Sequence, residues 1–362
     1  MPSMDTVEQL MHGGIRQGIF PGAVLLVMAG DAVIFEQAYG WADLFSARPM
    51  TRNTLFDLAS LTKPLVTALA VMTLVRQGRM DLDAPCAKIC PDLAGTDKRA
   101  ITPRQLLTHR SGLAPWRPFF MRLRRLPEHS RLAGLRRCLL TEPLESVPGL
   151  QSVYSDLGFM LLHWVVEKLA GEPMDALISR LILKPLGIQD LFYNNSNRVV
   201  AEPERYAATQ LCPWRNRLMV GEVDDDNAWI SGGVAGHAGL FGTAIAVGRL
   251  LAALLSADQA GEGRGVFDSA LVKMFWHTEP DDRWALGFDT PSRQGSSAGC
   301  RFPADSVGHL GFTGTSFWVH RPKGVIVVLL TNRVHPWRYR TGIQTFRPSL
   351  HDAVMAALGG NF

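Results

Sequence analysis

The sequence predicts an α/β fold in which an antiparallel sheet, built from both ends of the chain, is flanked by helices, with a mainly helical lobe inserted. Residues 22–39 show the pattern of an apolar strand, a turn and a returning strand, which is typical of a hairpin. Residues 316–331 repeat that pattern near the end of the chain. Between them, the helical spacing of apolar residues dominates residues 60–183. Strands at both ends therefore favour one sheet made by the two termini.

The individual elements follow from local patterns. Apolar residues at helical spacing within residues 7–15 predict an opening helix. Gly30-Asp31 and residues 321–324 supply the turns of the two hairpins. A closing helix is predicted at about residues 349–358, and the weakly periodic residues 193–229 are predicted to be mostly loop.

The composition indicates a folded globular chain. Of 362 residues, 47% are hydrophobic and 19% are charged, which excludes long disorder. We expect a single catalytic unit over residues 1–362, with an α/β lobe of about residues 1–75 plus 240–362 and a helical lobe of about residues 76–239. The longest apolar stretches have the length of strands, so no membrane span is predicted.

The charge distribution leaves two interpretations. The net charge of +4 is small for this length, so no nucleic-acid partner is expected. Seven arginines fall within residues 117–137. A solvated face is the ordinary reason for such a run, and we favour it. The alternative is a basic rim over the site of an anionic substrate.

The cysteines and the N-terminus indicate the compartment. Five cysteines cannot all pair, and Cys86 and Cys90 have no further ligands near enough for a zinc pattern, so we expect reduced and mostly buried thiols. Residues 1–20 include Asp5 and Glu8 and lack the basic start and apolar core of a signal peptide. A cytoplasmic location is therefore expected.

The strongest chemical signal is the tetrapeptide Ser60-Leu61-Thr62-Lys63, followed by Pro64 and an apolar helical run. Proline is tolerated in the first turn of a helix, so a helix is predicted to begin close to Ser60, with Ser60 and Lys63 on one face. The amine can then take or steer the hydroxyl proton, and the Ser60 N–H can point at an oxyanion. Taken alone, the tetrapeptide favours a simpler interpretation, in which Ser60 is an N-cap and Lys63 a surface residue.

Two later segments change that interpretation. Tyr154-Ser155-Asp156 precedes a helical run, and residues 309–315, with the sequence HLGFTGT, precede the closing hairpin. In this order the three segments resemble the serine β-lactamase and penicillin-binding-protein superfamily, whose motifs are S-x-x-K, Y-x-N and K-T-G. The class C β-lactamase, DD-peptidase and esterase branch is the most similar. Residues 56–59, 101–113 and 232–241 also resemble that branch, so the resemblance covers about residues 7–358.

The resemblance implies a β-lactamase/transpeptidase-like fold and a role for each matching residue. It implies that Ser60 is the acylated nucleophile, Lys63 its proton partner and Tyr154 a second acid or base. His309 takes the first position of the third motif, on a strand beside the site. The backbone N–H groups of Ser60 and Phe312 would form the oxyanion hole. The expected substrate-binding positions, which border the same motifs, are Asp156, Gly311 and Thr313.

Two residues depart from those motifs: Asp156 replaces asparagine, and His309 replaces lysine. An ionised Asp156 favours the charged form of Lys63, so we expect Lys63 to stay protonated and Tyr154 to do more of the base work. The cation is also expected to lower the pKa of Tyr154 from about 10. His309 is expected to be mostly neutral at pH 7 and to hold a substrate carboxylate less firmly than lysine would.

Other residues have a structural and a functional interpretation. Asp224, Asp225 and Asp226 could bind a metal, but we favour a solvated loop and expect no metal. His109 and His237 are expected to be hydrogen-bonded structural residues. The glycines of residues 232–239 are expected to let the backbone pass close to the wall of the cleft.

We therefore expect a serine hydrolase that forms an acyl intermediate on Ser60 and needs no cofactor. The expected substrates are carboxylic esters and D-amino-acid amides or short peptides, with weak or no β-lactamase activity. One alternative is a β-lactamase or D-Ala-D-Ala carboxypeptidase proper. An alternative of another class is a non-hydrolytic homologue that binds peptidoglycan fragments or a protein. The sequence leaves the oligomeric state open.

Overall fold

The computed structural model of the chain describes residues 4–195, 200–260, 265–279 and 282–359. Its strands, in chain order, are β1 (Gly22–Ala29), β2 (Ala32–Asp43), β3 (Arg48–Pro49), β4 (Phe56–Asp57), β5 (Leu191–Tyr193), β6 (Ala208–Cys212), β7 (Arg217–Val220), β8 (Leu240–Gly242), β9 (Val307–Leu310), β10 (Ser316–His320) and β11 (Val325–Thr331). The main sheet has six antiparallel strands in the order β3-β2-β1-β11-β10-β9. The prediction of an α/β fold, with one sheet made by both ends of the chain, is confirmed.

The helices surround this sheet and fill the middle of the chain. In chain order they are α1 (Met4–Arg16), α2 (Leu69–Arg76), α3 (Pro103–Leu107), α4 (Phe120–Leu123), α5 (Glu128–Thr141), α6 (Asp156–Ala170), α7 (Met174–Ile178), α8 (Asp226–Ile230), α9 (Ala244–Gln259), α10 (Ser269–Trp276) and α11 (Ile343–Leu358). Two smaller sheets, β4-β8-β5 and β6-β7, complete the fold.

The central strands are apolar at nearly every position because the sheet is covered on both faces. In β1, Val24 and Leu26 belong to the core that includes α9, whereas Leu25 and Val27 belong to the core that includes α1 and α11. The same alternation runs through β11. Side chains of successive strand residues point to opposite faces, so one continuous apolar run supplies two cores.

Two predicted boundaries differ from the structure. Residues 193–229 were expected to be mostly loop, and most of the described residues there lie outside α-helices and strands, but the segment also contains the hairpin of β6 and β7 and most of α8. Strands of four or five residues carry too few alternating positions to stand out in a sequence. The closing helix begins at Ile343 rather than near residue 349, and it contains Pro348. Proline there removes the bond that its N–H would make one turn earlier, and its ring crowds the carbonyl four residues before it, so a helix spanning Pro348 is not expected from the sequence.

The predicted cysteine chemistry is confirmed: all five cysteines are free, and Cys86, Cys90 and Cys212 are buried. The boundaries predicted for the two lobes stay a prediction, and one buried apolar cluster includes residues on both sides of them. Within the described ranges, Ala59–Arg76 is the one helical stretch long and apolar enough to cross a membrane, and 78% of it is buried inside the protein.

Candidate active site

Ser60 lies in the first turn of a composite helix that begins directly after β4. The segment Ala59–Leu61 is a 3-10 turn, Lys63–Ala68 has π-type hydrogen bonding, and α2 continues it. Pro64 lies at the start of the π segment, as its missing N–H requires. The Ser60 side chain caps nothing, and Lys63 is fully buried. The simpler interpretation, an N-cap beside a surface lysine, is therefore wrong.

Lys63 joins three parts of the chain. Its Nζ donates to Ser60 Oγ at 3.0 Å, to Asp156 Oδ1 at 2.7 Å and to the carbonyl of His237 at 3.3 Å. The Tyr154 side chain lies beside both groups: Lys63 Nζ is 4.7 Å from the centre of its ring, and both Lys63 and Ser60 influence the pKa of its hydroxyl. The structure thus brings the Ser60-Lys63 pair together with the Tyr154-Asp156 segment, which lies about ninety residues later in the sequence.

His109 orients the segment that carries Tyr154. Its Nδ1 accepts a hydrogen bond from the Ser155 N–H at 3.1 Å, and its ring lies 4.6 Å, centroid to centroid, from the ring of Tyr154. Ser155 in turn caps α6, because its hydroxyl accepts from the Gly158 N–H. His109 and His237 are both hydrogen-bonded within the fold, as the sequence predicted.

Opposing influences determine the charge of the two groups beside Ser60. Burial alone would lower the pKa of Lys63, but the Asp156 carboxylate and Tyr154 outweigh it and raise that pKa above its ordinary value. Burial raises the pKa of Tyr154, and the charge of Lys63 only partly offsets the rise. The charged Lys63 agrees with the sequence prediction. The predicted lowering of the Tyr154 pKa is wrong, because desolvation of the phenolate outweighs the nearby cation.

His309 lies on β9 with its ring buried at the edge of the cleft. Burial, together with the charge of Lys63, lowers the pKa of His309 to about 3, so the imidazole is neutral at pH 7, as expected. Nδ1 lies 2.8 Å from the carbonyl of Leu310, which makes it the protonated nitrogen. Nε2 is then an acceptor, and it has no partner within the described part of the chain.

The turn between β9 and β10 is tied to the Ser60 segment. Thr313 Oγ1 donates to the carbonyl of Asp57 at 2.7 Å, and Thr315 Oγ1 donates to that of Leu58 at 3.0 Å. A Cβ at Gly311 would collide with Thr315 Oγ1 and the Leu58 carbonyl, so only glycine allows this approach. The hydroxyl of Thr313 is thus engaged with the protein, and Asp156 is engaged with Lys63.

The backbone N–H groups of Ser60 and Phe312 border the same cleft, which has a volume of about 830 Å³. Neither N–H donates a hydrogen bond to any residue that the structure describes. They are therefore available to a ligand oxygen. The cleft brings together the residues predicted from the motifs, which are Ser60, Tyr154, Asp156, His309, Gly311, Phe312 and Thr313.

Sequence reasoning missed the aromatic and cationic walls of this cleft. Trp116 and Trp284 line it, and so do arginines that follow β11. Arg333 donates to the carbonyl of Phe312, and the Arg333 and Arg338 guanidinium groups lie 5.0 and 5.6 Å from the Phe312 ring. The sequence shows several arginines within residues 333–347, which could have indicated a cationic surface. No short-range pattern in the sequence, however, relates that segment to Ser60.

The arginines of residues 117–137 do not line the Ser60 cleft. Arg117 pairs with Glu142 and Glu145, each at 2.6 Å. Arg136 and Arg137 line a separate cavity of about 650 Å³. The segment therefore forms no basic rim over the Ser60 cleft, whose arginines, Arg283, Arg333, Arg338, Arg340 and Arg347, all come from later in the chain.

In the triple-aspartate loop, Asp224–Asp226, Asp224 and Asp226 are buried and Asp225 is half-buried, so the favoured interpretation of a solvated loop is wrong. Asp224 and Asp226 pair with Arg338 at 3.0 and 3.2 Å. Asp225 Oδ1 lies 2.9 Å from His237 Nε2. The carboxylates of the two buried aspartates are thus met by Arg338, from a distant segment, and that of Asp225 by the His237 ring, so each of the three carboxylates has a partner. Within the described ranges, no group of three or more His, Cys, Asp or Glu side chains could hold a metal ion.

Comparison with known proteins places this geometry in a family. The profile of the Beta-lactamase family matches residues 5–347. The chain belongs to the Beta-lactamase family. An N-acetylmuramyl-L-alanine amidase of Bacillus subtilis (strain 168) is 32% identical, over 91% of this chain and 80% of that protein. A protein of Salmonella agona (strain SL483), named as a candidate D-alanyl-D-alanine carboxypeptidase, is 30% identical over 87% of this chain and 79% of that protein.

Solved structures show the same fold at lower identity. EstCE1, described as a hydrolase with promiscuous acyltransferase activity, superposes with a TM-score of 0.74 at 21% identity, over 97% of this chain and 98% of that one. A penicillin-binding protein homologue from Caulobacter crescentus superposes with a TM-score of 0.75 at 22% identity, over 98% and 97%. The resemblance, the β-lactamase/transpeptidase-like fold and the prediction of a serine hydrolase are confirmed.

Proposed function

We propose that this Beta-lactamase family member hydrolyses carboxylic esters and D-amino-acid amides or short peptides through an acyl intermediate on Ser60, with weak or no turnover of β-lactams. One observation carries the proposal. Lys63 Nζ lies 3.0 Å from Ser60 Oγ, and Tyr154 lines the same open cleft with the centre of its ring 4.7 Å from Lys63 Nζ. A hydroxyl between a cation and a phenol is arranged for nucleophilic attack.

The residues support a balanced sequence of steps. Ser60 Oγ bonds to the substrate carbonyl carbon in a concerted relay, in which the Ser60 proton moves to the Tyr154 oxygen as the phenol's own proton moves to the leaving oxygen or nitrogen. The bond to the protonated leaving group then breaks as the carbonyl re-forms. Water then attacks the acyl carbon, and the same transfers in reverse return a proton to Ser60. The Lys63 ammonium stabilises negative charge on either side-chain oxygen, and the N–H groups of Ser60 and Phe312 would hold the carbonyl oxyanion.

The neutral His309 supports the ranking of substrates. Penicillins and D-Ala-D-Ala peptides carry a carboxylate, and a neutral imidazole attracts it less than an ammonium would. Simple esters carry no carboxylate, so their binding does not depend on a cation at this position. The amidase and carboxypeptidase names of the relatives support amides and short peptides as further substrates.

A D-Ala-D-Ala carboxypeptidase is the second candidate, and the arginines of the cleft favour it. Arg340 lines the cleft, and guanidinium groups bind carboxylates in bidentate fashion, whereas Arg338, which also lines it, is already paired with Asp224 and Asp226. Turnover of a D-Ala-D-Ala peptide faster than that of a simple ester would favour this candidate.

Covalent labelling tests the proposal. After incubation with a fluorophosphonate, we expect intact-mass spectrometry to show one adduct on the wild-type protein and none on Ser60→Ala. Ester turnover by Ser60→Ala should fall by about 10³-fold or more. Ser231→Ala is the matched control, because the Ser231 hydroxyl donates to the Asn227 carbonyl away from the cleft. Full ester turnover by Ser60→Ala would contradict the mechanism.

Substitution of His309 tests the carboxylate argument. We expect His309→Lys to raise the ratio of cephalosporin to ester kcat/KM by about tenfold, because a charge-assisted hydrogen bond contributes about 1.5 kcal/mol. The ratio is measured with a chromogenic cephalosporin and a chromogenic ester on the same preparation. An unchanged ratio would count against a carboxylate near this position.

A further inference from the structure

We infer that Asp57 is a positioning residue for Ser60, because its carboxylate joins the turn that carries the nucleophile to the triple-aspartate loop. Asp57 Oδ1 accepts from the Ala59 N–H at 2.9 Å, and Oδ2 accepts from the Asp224 N–H at 2.6 Å. The inference deepens the proposed function, on which it rests. Asp57 does not line the cleft, so it acts only through the residues that it holds.

The bond to Ala59 holds an unfavourable backbone conformation. Ala59 has a φ of +47°, in the left-handed region, which costs a residue with a Cβ about 1 kcal/mol or more. Ala59 directly precedes Ser60, so its conformation sets the direction of both the Ser60 N–H and the Ser60 side chain. A carboxylate oxygen on the Ala59 N–H offsets part of this cost at the one place where the orientation of Ser60 is decided.

The bond to Asp224 extends the same control to Lys63. Asp224 begins the triple-aspartate loop, whose next residue, Asp225, holds the His237 ring at 2.9 Å. The carbonyl of His237 accepts from Lys63 Nζ at 3.3 Å. One carboxylate therefore determines the relative placement of the nucleophile turn and of the loop that reaches its cationic partner.

The two hydrogen bonds of Asp57, to the Ala59 N–H and the Asp224 N–H, form what we call the Asp57 clamp. The clamp depends on an ionised carboxylate, since both of its partners are donors. A protonated Asp57 would turn one oxygen into a donor that faces an N–H, and one of the two bonds would be lost. The charged groups that act on Asp57 are the carboxylates of Asp224 and Asp225 on the triple-aspartate loop. From the β9–β10 turn, only the Thr313 hydroxyl reaches it, at the backbone carbonyl.

The surroundings make this ionisation relevant near neutral pH. Burial and the charge of Asp224 raise the pKa of Asp57 to about 7. The positive partner of Asp224 is Arg338, which pairs with the Asp224 and Asp226 carboxylates rather than with Asp57. Ester turnover should consequently decline as the pH falls below about 7, while Lys63 and Tyr154 keep their protonation states.

The variant Asp57→Asn tests the clamp directly. The amide keeps an acceptor for one N–H but presents a donor to the other, so we expect kcat to fall by about 10- to 100-fold with KM little changed. The decline of kcat below about pH 7 should disappear as well. Asp258→Asn is the matched control, because Asp258 is a buried carboxylate that pairs with Arg321 at 2.7 Å, away from the cleft. Wild-type kcat and an unchanged acid limb in Asp57→Asn would overturn the inference.

A second variant keeps the inference testable if Asp57→Asn does not fold. Glycine adopts a positive φ without strain, so in Ala59→Gly the backbone conformation at position 59 should depend less on the hydrogen bond that its N–H donates to the Asp57 carboxylate. We expect the ratio of kcat at about pH 8 to kcat at about pH 5.5 to be smaller in Ala59→Gly than in the wild type. An unchanged ratio would overturn the role of Asp57 even where the Ser60→Ala result upholds the nucleophile.

Discussion

We expect Tyr154→Phe to lower kcat/KM for ester hydrolysis by about 10²- to 10⁴-fold, the range that a positioned proton-transfer group contributes. Ser60 and Lys63 both act on the hydroxyl of Tyr154, and burial keeps its pKa above the ordinary value, so the neutral phenol is present throughout the neutral range. Phenylalanine leaves the ring packed on His109 and removes only the proton relay. Initial rates with a chromogenic ester, measured from about pH 6 to about pH 9, provide the test.

Tyr206→Phe is the matched control for this loss. Tyr206 is also buried, and its hydroxyl is hydrogen-bonded to Asn194 rather than to any residue of the cleft. Removal of the Tyr206 hydroxyl should lower the free energy of unfolding by about 1 kcal/mol and leave kcat unchanged. A Tyr154→Phe enzyme with the wild-type rate would remove Tyr154 from the mechanism, and Ser60 would need another proton acceptor.

The second large effect concerns stability. We expect Asp156→Asn to lower the free energy of unfolding at pH 7 by about 3 kcal/mol, because Lys63 is fully buried and loses its anionic partner. Without the carboxylate, burial dominates and moves the pKa of Lys63 below its ordinary value. The unfolded chain then binds more protons than the folded one, so the stability of the variant should rise with pH between these two pKa values.

The wild type should not show this rise. Its Lys63 has a raised pKa, so the contribution of the ion pair is fully present below the ordinary pKa of lysine and is lost only as the pH rises through the folded value. Urea unfolding at about pH 7 and about pH 9.5 measures the difference. Asp258→Asn is again the control. Its partner Arg321 cannot deprotonate, so the loss of unfolding free energy caused by this substitution should be the same at both pH values. An Asp156→Asn penalty independent of pH would contradict the assigned charge of Lys63.

Several features of the site could be predicted because they depend on short stretches of chain. Pro64 places the start of a helix, and a spacing of three then brings Lys63 next to Ser60. The two hairpins were predictable for the same reason, since a turn between apolar runs specifies its own pairing. The segments of Tyr154 and His309 were found by their resemblance to known motifs, which already contains information about long-range contact.

Other features could not be predicted because they depend on what surrounds a group in three dimensions. The triple-aspartate loop has the composition of a solvated loop, but Asp224 and Asp226 are buried, and their partner Arg338 comes from a distant segment. The pKa of Tyr154 was expected to fall because a cation is adjacent in the motif, but it rises because the ring is buried. Charge is visible in a sequence, whereas the loss of solvent around that charge is not.

The amino-acid sequence by itself determined the class of fold, the Ser60-Lys63 pair and the order of the three motifs, since periodicity, proline position and residue spacing act within a few turns of chain. Tertiary structure alone decided that Tyr154 is neutral, that arginines from residues 333–347 line the cleft, and that Asp57 holds the Ser60 turn. These properties arise from burial and from contacts between segments up to about three hundred residues apart, whose free energies depend on distance and desolvation rather than on neighbours in the chain.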